Sequence, residues 1–375
     1  MYWLNSPRGK LSVEELSHGL GRLRINMQDM RSVPVPLPPK PEQHRIVKKV
    51  EALFARSARA RDELARIPRL IERYRQAVLE AAFRGDLTAE WRTSHPNERP
   101  VQTDQLRQVK RRGSRTAVAQ LRAGATDMGE LPLTWVAAQI GSVARLQPGY
   151  AFKSQDFSAK GVRLLRGTNI VPDGTRWEEV VHLPTHMAPE FEEYRLQAGD
   201  VVIAMDRPLI SGGLKVACLG EADLPALLLQ RVGRFDHQPC LDPAYLWHFL
   251  HSNLFIDHIR DQATGSDLPH ISATDIETVA IPLPPLEEQR AIAACLTALF
   301  SGAERASREC ERANSLLERL NSSILDKAFA GELVPQDPAD EPATALLARI
   351  KEARAEAPAT RRERRKQGHP HHAGR

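Results

Sequence analysis

Hydrophobic positions along two stretches of the chain recur at alternating steps of four and three residues. The first series is Ile46, Val50, Leu53, Ser57, Ala60, Leu64, Ile67, Ile71, Tyr74, Val78 and Ala81. The second series is Ile292, Leu296, Leu299, Ala303, Ala306, Cys310, Ala313, Leu317, Leu320 and Ile324. Many of the residues between these positions are Arg, Glu, Lys or Ser. This is the spacing of a coiled-coil seam, and it predicts two helices, each about 60 Å long, that pack on one another.

We expect the contacts across this seam to come from eight larger side chains. They are Ile46, Leu53, Leu64 and Ile71 on the first helix, and Ile292, Leu299, Leu317 and Ile324 on the second. Small residues in the middle of both seams would allow close approach there, and Pro68 is expected to bend the first helix. A generic helical bundle without a function of its own would give the same periodicity.

The chain also repeats itself at an offset of 246 residues. The segment Pro36-Leu37-Pro38-Pro39 matches Pro282-Leu283-Pro284-Pro285, and Glu42-Gln43 matches Glu288-Gln289. An offset this long is not that of a solenoid repeat, so it indicates a duplicated module. In each copy the prolines disfavour a helix before them and are tolerated in a first turn, which predicts that each long helix begins at this motif.

The region 131–285 has a different pattern. Short apolar or β-branched runs alternate with glycine-rich turns, and residues 243–263 then show helical spacing. This order predicts a mixed α/β domain. With the two long helices it defines the predicted fold class: α/β, a mixed α/β domain joined to a coiled coil.

The loops of this domain carry polar and basic side chains of the kinds that contact DNA. Arginine can pair with guanine, asparagine and glutamine with adenine, and lysine and serine with phosphate. Our candidates are Tyr150, Lys153, Arg163, Arg166, Asn169, Arg207, Ser211, Lys215, Gln230 and Arg231. For Asn169 and Gln230 the alternative is that each side chain satisfies buried backbone groups at a turn, and the sequence leaves this open.

Composition narrows the class of protein. The 375 residues include 52 Lys and Arg against 47 Asp and Glu, a net charge of +5 that suits a polyanionic partner without requiring one. The apolar runs are too short for a membrane span, and the four cysteines show no zinc-site spacing. We therefore expect a cytoplasmic protein with reduced thiols, no membrane partner and no bound metal.

An enzyme is the rival class. The sequence lacks a glycine-rich cofactor turn with an N/D-P-P-Y/F-type loop, as an adenine methyltransferase needs, and it lacks a P-loop. It also shows no compact carboxylate cluster suited to a nuclease metal site. We expect a non-catalytic protein without cofactors. A coiled-coil scaffold without DNA affinity remains the second alternative.

Several motifs resemble those of the specificity subunits of type I restriction–modification enzymes. They are Leu131-Pro132-Leu133-Thr134-Trp135, Gly149-Tyr150-Ala151-Phe152, Leu165-Arg166-Gly167-Thr168-Asn169-Ile170, Gly199-Asp200-Val201-Val202-Ile203, Gln230-Arg231-Val232 and the two Pro-Leu-Pro-Pro-x-x-Glu-Gln signatures. The resemblance implies two target-recognition domains, each reading half of a split DNA site. It also implies an antiparallel coiled coil that sets their spacing and docks methyltransferase subunits.

This resemblance assigns a role to each segment. We divide the chain into a remnant of a first recognition domain (1–39), a first helix (40–87), a polar linker (88–130), a second recognition domain (131–285), a second helix (286–334) and a charged tail (335–375). At the repeat offset Met1 falls opposite Trp247, so we expect an N-terminally truncated family member that reads one half-site.

The resemblance also names partners. They are double-stranded DNA, the methyltransferase subunits, the restriction and translocase subunits, and a second copy of the chain through the helices. S-adenosylmethionine, ATP and magnesium are expected on the partner subunits only. An inactive fragment without specific DNA binding is the remaining alternative.

Overall fold

The computed structural model describes residues 2–18, 24–101, 106, 130–172, 174–262 and 270–356. They form two compact units, one within residues 1–68 and 306–375 and the other within residues 69–305. The basic clusters at 110–113 and 361–366, noted in the sequence as part of the linker and the tail, lie outside the described residues. No described helix combines the length and the apolar character needed to cross a membrane.

Helices dominate the unit formed by the two ends of the chain. Its helices are α1 (Tyr2–Asn5), α2 (Pro7–Glu15), α3 (Met27–Ser32), α4 (Lys40–Leu64), the end of α11 (Leu286–Ala330) and α12 (Ala343–Glu356). Ser6 and Asn26 cap α2 and α3 by accepting hydrogen bonds from backbone N–H groups. Helix α12 lies within the segment that the sequence divides off as a charged tail.

The two long helices pack antiparallel within this unit. Ile46 and Val50, near the start of α4, share a buried cluster with Ile324 and Ala328 at the end of α11. At the other end of α4, the Cys310 thiol lies 3.4 Å from the carbonyl oxygen of Leu64 and donates to it. The coiled coil expected from the heptad spacing is therefore confirmed.

The second unit contains the strands and the remaining helices. The helices are α5 (Ile67–Arg84), α6 (Ala89–Ser94), α7 (Ile140–Val143), α8 (Pro243–Leu250), α9 (Asn253–Gln262), α10 (Ala273–Glu277) and the first half of α11. Short 3-10 helices cover Asp86–Thr88, Ser154–Asp156, Ala188–Tyr194 and Glu221–Asp223. The strands are β1 (Val136–Gln139), β2 (Ala144–Pro148), β3 (Val162–Leu165), β4 (Ile170–Val171), β5 (Gly174–Thr175), β6 (Val181–Leu183), β7 (Val201–Ala204), β8 (Leu209–Ile210), β9 (Gly213–Leu214), β10 (Val216–Cys218), β11 (Ala226–Leu228), β12 (Val232–His237) and β13 (Ala280–Leu283).

These strands form a four-stranded antiparallel sheet in the order β10-β7-β12-β2 and a three-stranded sheet in the order β11-β3-β6. In the three-stranded sheet β11 runs parallel to β3, and β6 runs antiparallel to it. Strand β13, which holds the second proline motif, pairs with β1 at the start of the domain. The mixed α/β domain is confirmed.

One hydrophobic core joins the strands to the helices of this unit. Phe235, Tyr245, Phe249 and Ile281 are each at most 2% exposed and belong to the same cluster. The cluster extends to the end of α5 and the start of α11. Side chains of the long helices therefore contribute to the core of the mixed α/β domain, together with leucines, isoleucines and aromatic rings from the strands and short helices.

The first helix departs from the expected single rod. It is interrupted at residues 65–66, and Pro68 occupies the first turn of α5, where its missing N–H removes no helical hydrogen bond. The interruption also changes which face is buried. Beyond it Leu79, Ala82 and Phe83 are buried, one position later than Val78 and Ala81.

Four positions of the proposed seam are exposed. Ala60, Tyr74, Ala306 and Leu320 face solvent, whereas Ser57 and Ala303 are buried as expected. The strict heptad therefore describes the seam of α11 only in part, because Cys310 and Ile324 are buried but Ala306, before them, and Leu320, between them, are not. Within the predicted polar linker, residues Ala89–Ser94 form helix α6.

Equivalent contacts in the two units confirm the duplication. The Gln43 amide donates to the carbonyl of Pro38 at 2.8 Å, and Gln289 donates to that of Pro284 at the same distance. Gly85 and Gly331, which end matching helices, both adopt a left-handed backbone conformation with φ of 87° and 78°.

Candidate nucleic-acid interface

The topology of the four-stranded sheet brings four loops to one edge. Strand β2 ends beside the start of β12, where Pro148 pairs with Gly233. Strand β7 ends at the same edge, since Ala204 pairs with Val232, and β10 begins there beside β7. The residues just beyond these strand ends are Tyr150, Arg207, Lys215, Gln230 and Arg231. Five of the ten candidates from the sequence therefore lie along one edge, which we call the loop edge.

Hydrogen bonds fix these loops to each other. The Met205 N–H donates to the Arg231 carbonyl at 2.8 Å, and the Lys215 N–H donates to the Pro208 carbonyl at 2.7 Å. The Gln230 N–H donates to the Tyr150 carbonyl at 2.8 Å. Because the backbones are held together, the side chains of the loop edge project from a rigid base.

Charged side chains of the loop edge are also linked. The Arg231 guanidinium lies 3.1 Å from the Asp206 carboxylate, and the Nδ1 atom of His270 lies 2.9 Å from the same carboxylate. Arg231 is more than half exposed, and Arg207 is exposed as well. Asp206 orients Arg231 without covering it, which leaves guanidinium donors directed at solvent.

Lys215 is half-buried beside these arginines. Burial lowers the pKa of its ammonium group; the Asp206 carboxylate opposes this shift, and the nearby Arg207 reinforces it. A Cβ atom placed on Gly167 would lie 3.8 Å from the Lys215 nitrogen, so the loop after β3 also reaches this edge. An anion that replaced the lost hydration of Lys215 would relieve the cost of burying its charge.

The backbone of the loop edge is strained at two arginines. Arg207 and Arg231 have φ values of 45° and 68°, and no other non-glycine residue that the structure describes has a positive φ. This conformation costs an ordinary side chain about 1–2 kcal/mol. Strain of this kind persists where function requires a particular side chain in place of glycine.

Tyr150 presents an aromatic surface at the end of the loop edge. Its ring is 41% exposed and packs on Phe152, Phe191 and Tyr194, with centroid distances between 4.8 and 5.4 Å. Lys153 follows three residues later and is exposed. A supported, partly exposed ring of this kind can stack on a base or a sugar.

Two candidate arginines form hydrogen bonds within the chain itself. Arg163 donates to the carbonyls of Ala222 and Leu224 and lies over the Trp177 ring. Arg166 donates to the Glu179 carbonyl at 2.9 Å. These two arginines hold loops in place and have fewer donors free for a partner.

Asn169 takes the structural role that the sequence left open. Its side chain is 1% exposed, accepts from the Arg166 N–H and donates to the carbonyls of Arg176 and Glu179. Gln230 is exposed, and its contact with DNA stays a prediction. Ser211 is also exposed, in the turn between β8 and β9.

Sequence reasoning missed a buried carboxylate that fixes the domain to the second long helix. Glu288 is fully buried and accepts hydrogen bonds from Thr88 at 2.7 Å, Arg92 at 2.6 Å and the Trp135 indole at 2.8 Å. It joins the segment after the first helix to the start of the recognition domain. The repeated Glu-Gln pair and the Leu-Pro-x-x-Trp motif were the only signals of this network.

Among the described residues, no group of three or more His, Cys, Asp or Glu side chains is arranged to hold a metal ion. The loop edge instead combines exposed arginines, a half-buried lysine and an aromatic ring. Arginine and lysine donors of this kind suit phosphate oxygens and base edges.

Comparison with known proteins agrees with this chemistry. The type I restriction modification DNA specificity domain matches residues 6–69 and 132–309. The specificity subunit of the type I restriction enzyme EcoAI from Escherichia coli is 37% identical over 201 residues, 53% of this chain and 34% of that protein. The MjaVIII specificity subunit from Methanocaldococcus jannaschii is 32% identical, over 56% of this chain and 48% of that protein. The chain thus matches half of the length of these two relatives or less.

A longer match is the EcoDI specificity subunit from Escherichia coli, 26% identical over 95% of this chain and 76% of that protein. Two solved structures share the fold. One is a chain from a study of complex assembly and conformational transition in the type I R-M system, with a TM-score of 0.60, 20% identity and coverage of 88% and 70% of the two chains. The other is the HsdS subunit from Thermoanaerobacter tengcongensis, with a TM-score of 0.54, 23% identity and coverage of 88% and 69%.

Proposed function

The chain belongs to the type I restriction modification DNA specificity family, and we propose that it acts as the DNA sequence-recognition subunit of such a complex. In this role residues 131–285 read one half-site of duplex DNA. The two long helices dock methyltransferase subunits and, through them, the restriction subunits. The chain itself transfers no methyl group and cuts no DNA.

The observation that carries this proposal is the convergence of Arg207, Lys215 and Arg231 at the loop edge. Two of these residues hold a strained backbone conformation that glycine would adopt without cost. A structural role for the loops would favour glycine there. A role in contacting phosphate or base edges explains why arginine is present instead.

The proposal assigns all cofactor chemistry to partner subunits. S-adenosylmethionine would be bound by the methyltransferase subunits, and ATP and magnesium by the restriction subunits. The chain would work in the cytoplasm, and it could also pair with a second copy through its helices. A scaffold role without DNA recognition is the alternative, and the exposed arginines of the loop edge speak against it.

The test is a binding selection with the purified full-length chain and its methyltransferase subunit. Duplexes retained from a random library are sequenced, and affinities are then measured for the selected sequence. We expect Arg207→Ala and Arg231→Ala each to weaken binding to that sequence by about 1–3 kcal/mol if the guanidinium contacts a base edge.

Arg145→Ala is the matched control. Arg145 is exposed near the opposite end of the same sheet, where it pairs with Asp236 across β2 and β12. Its loss removes the same charge without touching the loop edge. Equal effects of all three variants, or retention of no preferred sequence by the wild-type complex, would refute recognition by the loop edge.

A further inference from the structure

The first long helix carries a basic face that packing does not use. Helix α4 contains seven lysines and arginines against four acidic residues. Four of the basic residues, Lys48, Lys49, Arg56 and Arg59, fall within an arc of about 100° on a helix of 3.6 residues per turn. All four are exposed. We call them the basic stripe.

The described residues provide no ion-pair partner for the charges of the basic stripe. Within the part of the chain that the structure describes, Lys48, Lys49 and Arg56 have no ion-pair partner, and Arg59 donates only to the Ala55 carbonyl at 3.3 Å. Arg45 on the same helix, by contrast, pairs with Asp340 at 2.6 Å. Cations grouped without counter-charges repel one another, so the basic stripe does not stabilise the helix.

The internal repeat shows that the charges are not needed for pairing the helices. At the offset of 246 residues, Ala294, Cys295 and Gly302 stand in place of Lys48, Lys49 and Arg56. The seam positions keep their apolar character in both copies, as Ile46 and Ile292 illustrate. Arg59 alone keeps its charge in the second copy, as Arg305. The two copies therefore share the packing face and differ at three of the four positions of the basic stripe, which indicates a separate role for these charges.

The surroundings of the basic stripe favour a polyanion over a protein surface. Between Lys48 and Arg59 no large hydrophobic side chain is strongly exposed, and the exposed Ala52 lies in the centre of the stripe. Protein interfaces usually bury an apolar centre, which this face lacks. Phosphate groups need only lysine and arginine donors and small residues that allow close approach.

We propose that the basic stripe binds the sugar–phosphate backbone of duplex DNA without reading its sequence. The stripe extends over about 16 Å of helix, which corresponds to about five base pairs of duplex. This inference rests on the proposed function as a DNA-recognition subunit. It adds a second contact, separate from the loop edge, that contributes affinity and no specificity.

The experiment compares two triple variants of the full-length chain. Lys48→Ala/Lys49→Ala/Arg56→Ala removes three of the four charges of the stripe, the three that the second copy lacks. Arg61→Ala/Arg319→Ala/Lys327→Ala removes the same charge from three exposed positions elsewhere on the long helices. Binding to a labelled random-sequence duplex of about 30 base pairs is measured by fluorescence anisotropy across a series of salt concentrations.

We expect the stripe variant to bind random duplex about tenfold more weakly at low salt. Its slope of log affinity against log salt should fall by about 2–3, because each lost phosphate contact contributes about 0.9. The control variant should keep most of the slope. Both should melt at the wild-type temperature, since all six side chains are exposed.

The outcome separates this inference from the proposed function. Stripe substitutions should weaken all sequences alike, whereas Arg207→Ala should change the preference among sequences. If the wild-type chain showed no preferred sequence, reading by the loop edge would be refuted. The measurement of the stripe on random duplex would still be valid, because it does not depend on a preferred sequence. The inference would be overturned if the stripe variant kept the wild-type affinity and the wild-type salt slope. It would also be overturned if the stripe variant bound DNA normally but no longer bound the methyltransferase subunit, because the stripe would then be a protein-docking surface.

Discussion

At Arg207 of the loop edge, a left-handed backbone conformation lowers folding stability while the side chain is available to bind DNA. Arg207 has a φ of 45° and an exposed side chain. Glycine adopts this conformation without steric cost, whereas alanine retains the strain. The same position therefore allows strain and side-chain function to be separated by two substitutions.

We expect Arg207→Gly to be more stable than Arg207→Ala by about 1 kcal/mol. Glycine relieves the backbone strain, and this gain exceeds the larger conformational entropy that glycine loses on folding. Both variants should lose DNA affinity equally, since both lack the guanidinium. Chemical denaturation and DNA binding measured on the same samples check this. Equal stability would show that the backbone is not strained, and retained affinity in the glycine variant would remove Arg207 from the interface.

His248 predicts how stability depends on pH. Burial lowers the pKa of its ring to about 4, with a smaller contribution from His251, against an ordinary value of 6.5. The unfolded chain therefore binds a proton between pH 6.5 and pH 4 that the folded chain does not. The stabilising contribution is complete above pH 6.5 and is lost as the pH falls toward 4, with a total of about 3 kcal/mol.

Replacing His248 by tyrosine should flatten the stability profile in this window. Tyr2, the equivalent residue in the first repeat copy, packs on Phe54 as His248 packs on Phe300, so the ring contact can be kept. Denaturation midpoints between pH 4 and pH 7 provide the measurement. A variant that loses stability as steeply as the wild type would show that His248 titrates normally.

The sequence identified residue types at the site better than residue roles. Lys215 and Arg231 stand inside apolar runs, and Arg207 lies between Asp206 and Pro208. The exposure of the two arginines follows from the turns that hold them. Asn169 and Arg163 carry the same signal in the sequence. Their side chains donate hydrogen bonds to backbone carbonyl groups that only the tertiary fold brings close. No local sequence pattern reveals these contacts.

At the scale of elements, the seam of the long helices can be tested by substituting two residues of similar size, Leu320 and Ile324, which lie one turn apart on α11. Ile324 is 6% exposed, whereas Leu320 is 50% exposed although the heptad places both in the seam. Ile324→Asp should lower the free energy of unfolding by several kcal/mol, because it buries an uncompensated charge and removes apolar contacts. Leu320→Asp should change it little.

Thermal melts followed by circular dichroism distinguish these outcomes. The heptad alone predicts similar damage from both substitutions, so equal losses would support the sequence pattern over the structure. The difference arises because periodicity fixes which residues are apolar, but not the local twist that turns each of them toward the partner helix. The interruption at residues 65–66 shifts the buried face of α5 for the same reason.

At the scale of the whole molecule, each unit contains a contact between two aromatic rings that come from different repeat copies. One ring lies near the start of its copy, and the other lies near the end of the long helix of the other copy. Trp3 packs on Phe329 with ring centroids 5.0 Å apart, and Phe249 packs on Phe83 at 5.3 Å, both edge to face. These four residues correspond at the repeat offset. The duplication was readable from the sequence, whereas this exchange of partners between copies required the structure.

This organisation leads to a prediction about the DNA motif that the chain specifies. Under the proposed function, residues 131–285 of one copy read one half-site of a few base pairs. Two copies paired through their helices around a two-fold axis would present identical domains and read an inverted repeat. We expect cells that carry only this chain and its methyltransferase subunit to show adenine methylation at an interrupted palindrome.

Methylome sequencing measures this outcome, with cells that carry this chain without the methyltransferase subunit as the control, in which no methylation is expected. Arg207→Ala should reduce the mark on both halves of the motif together, because both halves would be read by the same residue of two identical chains. A single-sided loss, or an asymmetric motif of two different halves traced to this chain alone, would contradict pairing of identical domains.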